Sequence, residues 1–368
     1  MQIRSVQWQD GRFGYPYDSP EGRASLDKLK QSIPSRNYVH LDVRVRCADG
    51  SNSADPDPDT TLDELIAAVT YAKSLGYKIL IRIRLRGVTS MTFAPPDIGV
   101  WFANYRNAIL YWAEFCKDYG VNHFCIGNEL SAPLTLQNDT WAIIVSDVRQ
   151  VFRGTISYSV NWWYMREDNG NVPGLNTLLA ATWLGLLDYI GLSSYPNLVT
   201  ASEYPPSPDT ISVELLIARY QDLPLYNLRG ESLVDHYGYL SDQHGKKLIF
   251  YIGIASFREA MATPWLPWSS GLPTEVDLEG QANWHTAFYE LFGRQPYTAG
   301  ISLDGGWQTN PDKTPNNLEF TVMNKPAESV VQYYFSILTP TSLLGQLLPF
   351  AFVGGLLYLT GDKSRRRG

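Results

Sequence analysis

Short apolar segments rich in β-branched residues alternate with longer amphipathic segments along most of this chain. A period of two in the short segments is typical of strands, and their alternation with helical patterns predicts βα units around a parallel sheet. Eight such strands are predicted. They read IRSVQWQ from Ile3, YVHLDVRVR from Tyr38, KILIRIRLR from Lys78, HFCIG from His123, TISYSV from Thr155, YIGLSS from Tyr189, KLIFYIG from Lys247 and AGISLDGG from Ala299.

The amphipathic segments carry helix-termination signals. TLDELIAAVTYAKSLG and WFANYRNAILYWAEFCKDYG both end in glycine, which is the residue favoured just beyond a helix. Eight strands with such connections predict one (β/α)₈ barrel over residues 1–335, a size that this fold commonly reaches. Reacting groups in such barrels lie at the carboxyl ends of the strands, so the residues that close each strand are the candidates for chemistry.

The C-terminal segment has a different composition. No charged residue occurs between Glu328 and Asp362, and the run Ile337–Thr360 has the length of a membrane-spanning helix. The sequence therefore predicts a transmembrane helix over 336–361, a basic tail over 362–368 and a single-pass anchor. A buried final helix is the alternative. The N-terminus lacks the pattern of a secretory signal, so a tail-anchored barrel, a processed precursor and a virion protein in an internal membrane all remain open.

Composition narrows the function classes. Hydrophobic residues make up 44% of the chain and the net charge is −7, without a basic stripe before the tail, so nucleic acid is excluded as a partner. The three cysteines have no CxxC spacing, and the five histidines have no HExxH spacing. We therefore predict neither a metal nor any other cofactor.

The strongest chemical signal is the end of the fourth strand, FCIGNEL, which places Asn128 and Glu129 at the rim of the barrel. An Asn-Glu pair in this place suits glycoside hydrolysis, because the glutamate can protonate the leaving oxygen while the asparagine holds a sugar hydroxyl. A solvated or helix-capping glutamate is the ordinary alternative.

Further segments, in order, resemble the TIM-barrel glycoside hydrolases of the endo-β-mannanase-like branch and the related barrel domain of gene-transfer-agent and phage tail proteins. These segments are WFANYRNAILYWAEFCKDYGVNHFCIGNEL, TWAIIVSDVRQVFRGTISYSVNWW, LLDYIGLSSYPNL, HGKKLIFYIG and NKPAESVVQYYF, and the resemblance covers nearly all of residues 1–335. It implies that Glu129 is the acid/base and that a glutamate at the end of the seventh strand is the nucleophile.

That second glutamate is missing. Where the family reads approximately Thr-Glu-Ile-Gly, this chain has LIFYIG, which puts Tyr251 at the nucleophile position. The third strand ends in Arg84 and Arg86 where the family tends to carry His and Asp, and the sixth has Ser193 where Asp is usual. Retaining hydrolysis requires two carboxyl groups about 5 Å apart, so the usual mechanism is in doubt here.

Three replacements for the lost carboxylate can be formulated. Asp304 or Glu259 could activate a water and so invert the configuration, or Tyr251 could itself attack, as a tyrosine does in sialidases. In the last case Arg84 and Arg86 would hold an acidic sugar. The alternative for these arginines, which we favour, is an ion-pair network with Asp42.

Polar and aromatic residues near the rim are candidates for sugar contacts, because a pyranose presents an apolar C–H face to an aromatic ring. Trp307, in GGWQTN after the eighth strand, has the best match to the family. The other candidates are Asn161, Tyr195 and the tryptophans Trp8, Trp162, Trp163 and Trp265.

Two hypotheses follow. The first is a membrane-tethered glycoside hydrolase acting on a β-linked poly- or oligosaccharide, with Glu129 as acid/base and an altered second group. The second is a catalytically inactive barrel that serves as a carbohydrate-binding or structural module, because a fold alone does not determine function.

Overall fold

The structure, a computed structural model, describes residues 1–9, 14–57, 62–165, 174–221, 232–264, 275–312, 314 and 316–338. Within these ranges eight parallel strands form a closed barrel, which confirms the predicted barrel. The barrel strands are β1 (Ile3–Gln9), β2 (Tyr38–Arg46), β3 (Lys78–Arg86), β4 (His123–Asn128), β5 (Thr155–Asn161), β6 (Tyr189–Ser193), β7 (Leu248–Ile252) and β8 (Thr298–Gln308).

Each strand pairs with its neighbours in chain order, and β1 closes the ring by pairing with both β2 and β8. At the closure Ser5 lies opposite Tyr38 and Ile3 opposite Gly300. A two-residue strand, Asp55–Pro56, adds an antiparallel pairing at the end of β2. All the carboxyl ends therefore meet at one mouth, where the site is expected.

The longer helices have clear start and stop signals. Ser19 accepts a hydrogen bond from Gly22 N at the start of the first helix, and Asp97 does the same for Val100 N at the start of the third. Gly76 and Gly120 follow the second and third helices with positive φ, as predicted. The helices are α1 (Pro20–Ser32), α2 (Leu62–Ser74), α3 (Ile98–Asp118), α4 (Asn138–Val151), α5 (Val213–Gln221), α6 (Leu233–His244), α7 (Leu278–Phe292) and α8 (Pro326–Ile337).

The two faces of the strands bury different kinds of side chain. On β3, Ile79, Ile81 and Ile83 belong to the large core between barrel and helices. The opposite face carries Leu80 and then Arg82, both fully buried within the barrel. Barrel interiors are usually filled by branched apolar residues, so a buried arginine there requires ionic partners.

The last described helix extends past the predicted end of the barrel at residue 335. α8 ends at Ile337, and the buried Leu338 follows it. The Leu338 carbonyl accepts a hydrogen bond from the amino group of Met1 at 3.1 Å, so this residue is still part of the barrel domain. Within the described ranges no helix has the length and apolar character needed to cross a membrane. Residues 339–368 lie outside those ranges, so the predicted anchor and tail stay predictions.

Candidate active site at the barrel mouth

Glu129 lies immediately beyond the end of β4, at the mouth. Its backbone has a positive φ of 53°, which is uncommon for a residue other than glycine. Two contacts hold it: Glu129 N donates to Ser159 O at 2.8 Å, and Asn161 Nδ2 donates to the carboxylate Oε2 at 3.0 Å. The side chain is partly exposed. The structure therefore aims a restrained carboxylate into the mouth from β4 and β5.

Asn128, the neighbour of Glu129, is buried at the last position of β4. Its Oδ1 accepts a long hydrogen bond of 3.4 Å from Ser193 Oγ, which lies 2.9 Å from Ser159 Oγ. Ser193, which stands where the family usually has Asp, thus belongs to a chain of neutral side chains across β4, β5 and β6.

A second group of charges lies inside the barrel around β2, β3 and β8. Arg82 on β3 is fully buried and lies between two carboxylates. Its Nε and Nη2 donate to Asp42 at 3.0 and 3.2 Å, and its Nη1 donates to Asp304 Oδ2 at 3.0 Å. Burial alone would lower the pKa of Arg82, but the charges of Asp304 and Asp42 outweigh that effect and raise it. The guanidinium is therefore a permanent cation shared by two strands.

Two more side chains complete what we call the Arg82 network (Gln7, His40, Asp42, Arg82 and Asp304). Gln7 Nε2 donates to Asp42 Oδ2 at 2.7 Å, and His40 Nε2 lies 2.8 Å from Asp42 Oδ1. Burial opposes ionisation of Asp42, but Arg82 and His40 overcome it and hold the pKa of that carboxyl well below its usual value. Burial, with the charge of Arg82, lowers the pKa of His40. The network thus contains a firmly ionised Asp42 and a neutral histidine.

Tyr251 does not lie at the open mouth. It is fully buried on β7, between Ser193 and Ser302 in the sheet, and the Arg82 guanidinium covers its ring at 4.7 Å. Its hydroxyl lies near Cys125 and Ser157 without a hydrogen bond of standard geometry. Burial raises the pKa of Tyr251, which disfavours a phenolate. This placement speaks against the predicted role of Tyr251 as nucleophile.

Tyr195 and Arg84 approach Glu129 from the other side. Tyr195, just beyond β6, is partly exposed and donates from Oη to Asp304 Oδ2 at 2.9 Å. Arg84 has half of its side chain exposed, and its Nη1 lies 3.4 Å from Asp42 Oδ2. This is the ion pair with Asp42 that the sequence analysis favoured for Arg84. The charge of Glu129 acts on the pKa values of both Arg84 and Tyr195. Glu129, Arg84, Tyr195 and Asp304 therefore share one cavity mouth.

Two other predicted site residues lie apart from this group. Arg86, at the end of β3, makes a 2.8 Å ion pair with the buried Asp57. Glu259 has a positive φ of 69° at the start of a short 3-10 helix, and its charge acts on Tyr204. The structure shows no contact that brings either residue to Glu129.

The structure buries three of the predicted aromatic sugar contacts, Trp8, Trp162 and Trp307, so these three predictions are wrong. Trp307 is fully buried, and its Nε1 donates to Ser25 O of α1 at 2.9 Å. β8 continues to Gln308, so Trp307 is a strand residue paired with Trp8 and not part of a loop at the rim. Trp162 is also buried, with 3% of its surface exposed. Trp163 and Tyr195 remain partly exposed, and Trp265 lies outside the described residues.

Arg82, His40 and Gln7 are not among the site residues that the sequence predicts. A signal is present for Arg82, because the period of two in KILIRIRLR puts it on the same strand face as Arg84 and Arg86. Arg82 does not close its strand, however, and the strand ends are where barrels usually carry reacting groups.

A sequence model of Glycoside Hydrolase Family 113 matches residues 8–325, and this match includes every residue of the mouth named above except Gln7. The chain belongs to this family. No match to a curated protein sequence was found.

Solved structures of Family 113 enzymes share the fold. The β-mannanase from Alicyclobacillus acidocaldarius, in complex with ManMIm, is 20% identical with a TM-score of 0.69, over 92% of this chain and 99% of that one. A Family 113 β-1,4-mannanase is also 20% identical, with a TM-score of 0.66, and the match covers 91% of this chain and 98% of that one. A β-glucuronidase from Ruminococcus gnavus is 10% identical, with a TM-score of 0.52, and is covered over 49% of its length.

This Family 113 barrel thus has an acid/base candidate and an unusual opposite side. Glu129 has the position and the partial exposure that proton transfer needs. The β7 position opposite it carries a buried phenol under an arginine, and the nearest carboxylates on that side belong to the Arg82 network.

Proposed function

We propose that this chain binds a β-linked, mannan-type glycan at the mouth of the barrel and that Glu129 acts there as general acid on the glycosidic oxygen. The observation that carries the proposal is the restrained Glu129 carboxylate, held by Asn161 at 3.0 Å at the carboxyl end of β4. The choice of glycan is supported by the β-mannanase activity named for related structures of the same family.

The conformation of Glu129 supports a role in catalysis. A positive φ at a residue with a side chain costs about 1–3 kcal/mol and is found mainly where the surrounding structure has a use for it. Asn161 fixes the carboxylate, and Arg84 places a partly exposed cation in the same mouth. Asn128 and Tyr195 are candidates for contacts with sugar hydroxyls.

The test is a panel of β-linked glycans offered to the purified full chain, scored for binding by titration and for cleavage by release of reducing ends. Glu129→Gln should leave binding in place and reduce cleavage by about 10²-fold or more, because the leaving oxygen is no longer protonated. The cleavage rate should fall much less for substrates whose leaving groups need no proton. Unchanged turnover of an ordinary glycan by Glu129→Gln would remove Glu129 from the mechanism.

A second candidate function is a carbohydrate-binding barrel without hydrolysis. The burial of Tyr251 beneath Arg82 favours it, because no carboxylate stands at the family's nucleophile position. Binding of glycans by the wild type, with no cleavage of natural or activated substrates, would select this alternative.

We also propose that the uncharged run after Leu338, residues 339–360, anchors the barrel to a membrane, on the strength of its length and the basic residues beyond it. A chain that ends at Leu338 should be soluble and should melt cooperatively, because it keeps the Leu338 contact with Met1. The full chain should need detergent. A full chain that is soluble without detergent, beside a truncated one that aggregates, would contradict the anchor.

A further inference from the structure

The mouth contains a tyrosine paired with a carboxylate, directly beside the position where the family's nucleophile is lost. Tyr195 Oη donates to Asp304 Oδ2 at 2.9 Å, which joins the end of β6 to β8. The ring of Tyr195 is partly exposed, and Phe320 packs against it edge-on with ring centroids 6.4 Å apart. Tyr195 is therefore not closed off from the mouth as completely as the fully buried Tyr251 is.

The two carboxylates that hold Arg82 are not equivalent. Asp42 has hydrogen bonds to Gln7 and His40, two from Arg82 and a longer one from Arg84. Asp304 has one hydrogen bond from Arg82 and one from Tyr195, both at Oδ2, while Oδ1 has no hydrogen-bond partner among the described residues. Asp42 is thus saturated with donors, whereas the buried Oδ1 of Asp304 has only His40 Nδ1 near it, at 3.8 Å.

Glu129 lies within electrostatic reach of the same phenol. Burial raises the pKa of Tyr195, and the negative charges of Asp304 and then of Glu129 raise it further against the opposing charge of Arg82. The hydroxyl therefore keeps its proton in the resting protein. A protonated phenol attacks only when a neighbouring base takes its proton during the attack, and Asp304 is placed to do so.

We propose that Tyr195 and Asp304 together replace the missing carboxylate nucleophile, with Tyr195 Oη attacking the anomeric carbon and Asp304 accepting its proton. This proposal rests on the proposed function, in which Glu129 is the acid/base.

The steps balance in atoms and charge. In the first, Oη of Tyr195 bonds to the anomeric carbon, its proton moves to Asp304, the glycosidic C–O bond breaks and Glu129 protonates the leaving oxygen. In the second, the Glu129 carboxylate takes a proton from water, whose oxygen attacks the anomeric carbon. The C–Oη bond breaks, and Tyr195 recovers its proton from Asp304. Two displacements give net retention of configuration.

The test uses the full chain with 2-deoxy-2-fluoro-β-mannosyl fluoride, whose leaving group needs no acid, followed by mass analysis of peptides. We expect one fluoromannosyl group on the peptide that contains Tyr195. With an activated aryl β-mannoside, we expect the first product to have the β configuration by NMR. Tyr195→Phe should abolish the adduct and reduce turnover by at least about 10²-fold.

Tyr71→Phe is the matched control. Tyr71 Oη also donates to a carboxylate, that of Asp27 at 2.9 Å, but this pair joins α1 to α2 outside the barrel. The control should keep the adduct and the turnover of the wild type. If Tyr195→Phe fails to fold, the adduct site and the product configuration of the wild type still decide the matter.

The outcomes separate this inference from the proposed function. An inverted product, an adduct on another residue, or activated turnover that survives Tyr195→Phe overturns the role of Tyr195, while Glu129→Gln continues to report on the acid. Absence of both adduct and turnover, with glycan binding intact, overturns the Tyr195 mechanism and selects the binding barrel. If glycan binding is absent as well, both the Tyr195 mechanism and the proposed function are overturned.

Discussion

The two sides of the barrel mouth hold their carboxylates in different ways. On β4 and β5, Glu129 is partly exposed and receives one side-chain hydrogen bond, from Asn161. On β2, β3 and β8, Asp42 and Asp304 are held around a fully buried Arg82. Glu129, with few donors, stays available for proton transfer, whereas Asp42, which is surrounded by donors, stays ionised and stabilises the fold.

Tyr251 on β7 lies against the second of these sides. Its ring fills the barrel interior against Gly191 and lies beneath Arg82, which has Asp42 and Asp304 as its ionic partners. The β2–β3–β8 side is thus an ionic core around the buried Arg82, while Glu129 is held by Asn161.

The largest expected effect comes from removal of the shared cation. Arg82→Met should reduce the free energy of unfolding by about 3–5 kcal/mol, because Asp42 and Asp304, whose side chains are only 14% exposed, would be left without their common partner. Arg84→Met is the matched control on the same strand face; its half-exposed guanidinium should contribute at most about 1 kcal/mol. Urea unfolding of the wild type and both variants measures the two losses in free energy of unfolding. Equal losses would contradict the view that the buried Arg82, and not the exposed Arg84, holds the ionic core together.

The ionic core also marks where sequence reasoning stops. The eight strands and the glycine caps follow from local patterns, and the Asn128-Glu129 pair follows from its place after an apolar strand. Arg82 could be placed on the inner strand face by periodicity, but its two partners come from residues 40 and 222 positions away. Trp307 was misjudged because β8 runs two residues beyond its apparent end at Gly306. Strand register decides which side chains meet across the barrel and where each strand ends, and one sequence does not specify the register.

The pH dependence of stability tests the ionic core more finely. The folded state holds His40 neutral because burial and Arg82 lower its pKa, while the unfolded residue takes up a proton near about pH 6.5. The stability that this residue contributes is therefore complete above about pH 6.5 and is lost as the pH falls below it. The free energy of unfolding of His40→Gln should fall less steeply with falling pH than that of the wild type. The two slopes should differ by up to about 1.4 kcal/mol per pH unit between about pH 6.5 and pH 5.

Urea unfolding of wild type and His40→Gln at several pH values measures this difference. The lowered pKa of Asp42 acts in a separate window, below its unfolded pKa of about 3.9, so it does not disturb the comparison. Parallel pH profiles for the two proteins would mean that His40 takes up its proton as readily in the folded state as in the unfolded chain, which would contradict the lowered pKa.

The smallest expected effect is that of Tyr251→Phe, and it tests whether the β7 side has any part in chemistry. Phenylalanine keeps the ring that Arg82 covers and removes a hydroxyl that makes no standard hydrogen bond, so the free energy of unfolding should change by about 1 kcal/mol or less. Any cleavage measured for the wild type should persist in full, since the hydroxyl is buried away from the mouth. Loss of turnover together with a glycosyl adduct on Tyr251 in the wild type would show the opposite: the barrel would have to open beneath Arg82 during catalysis.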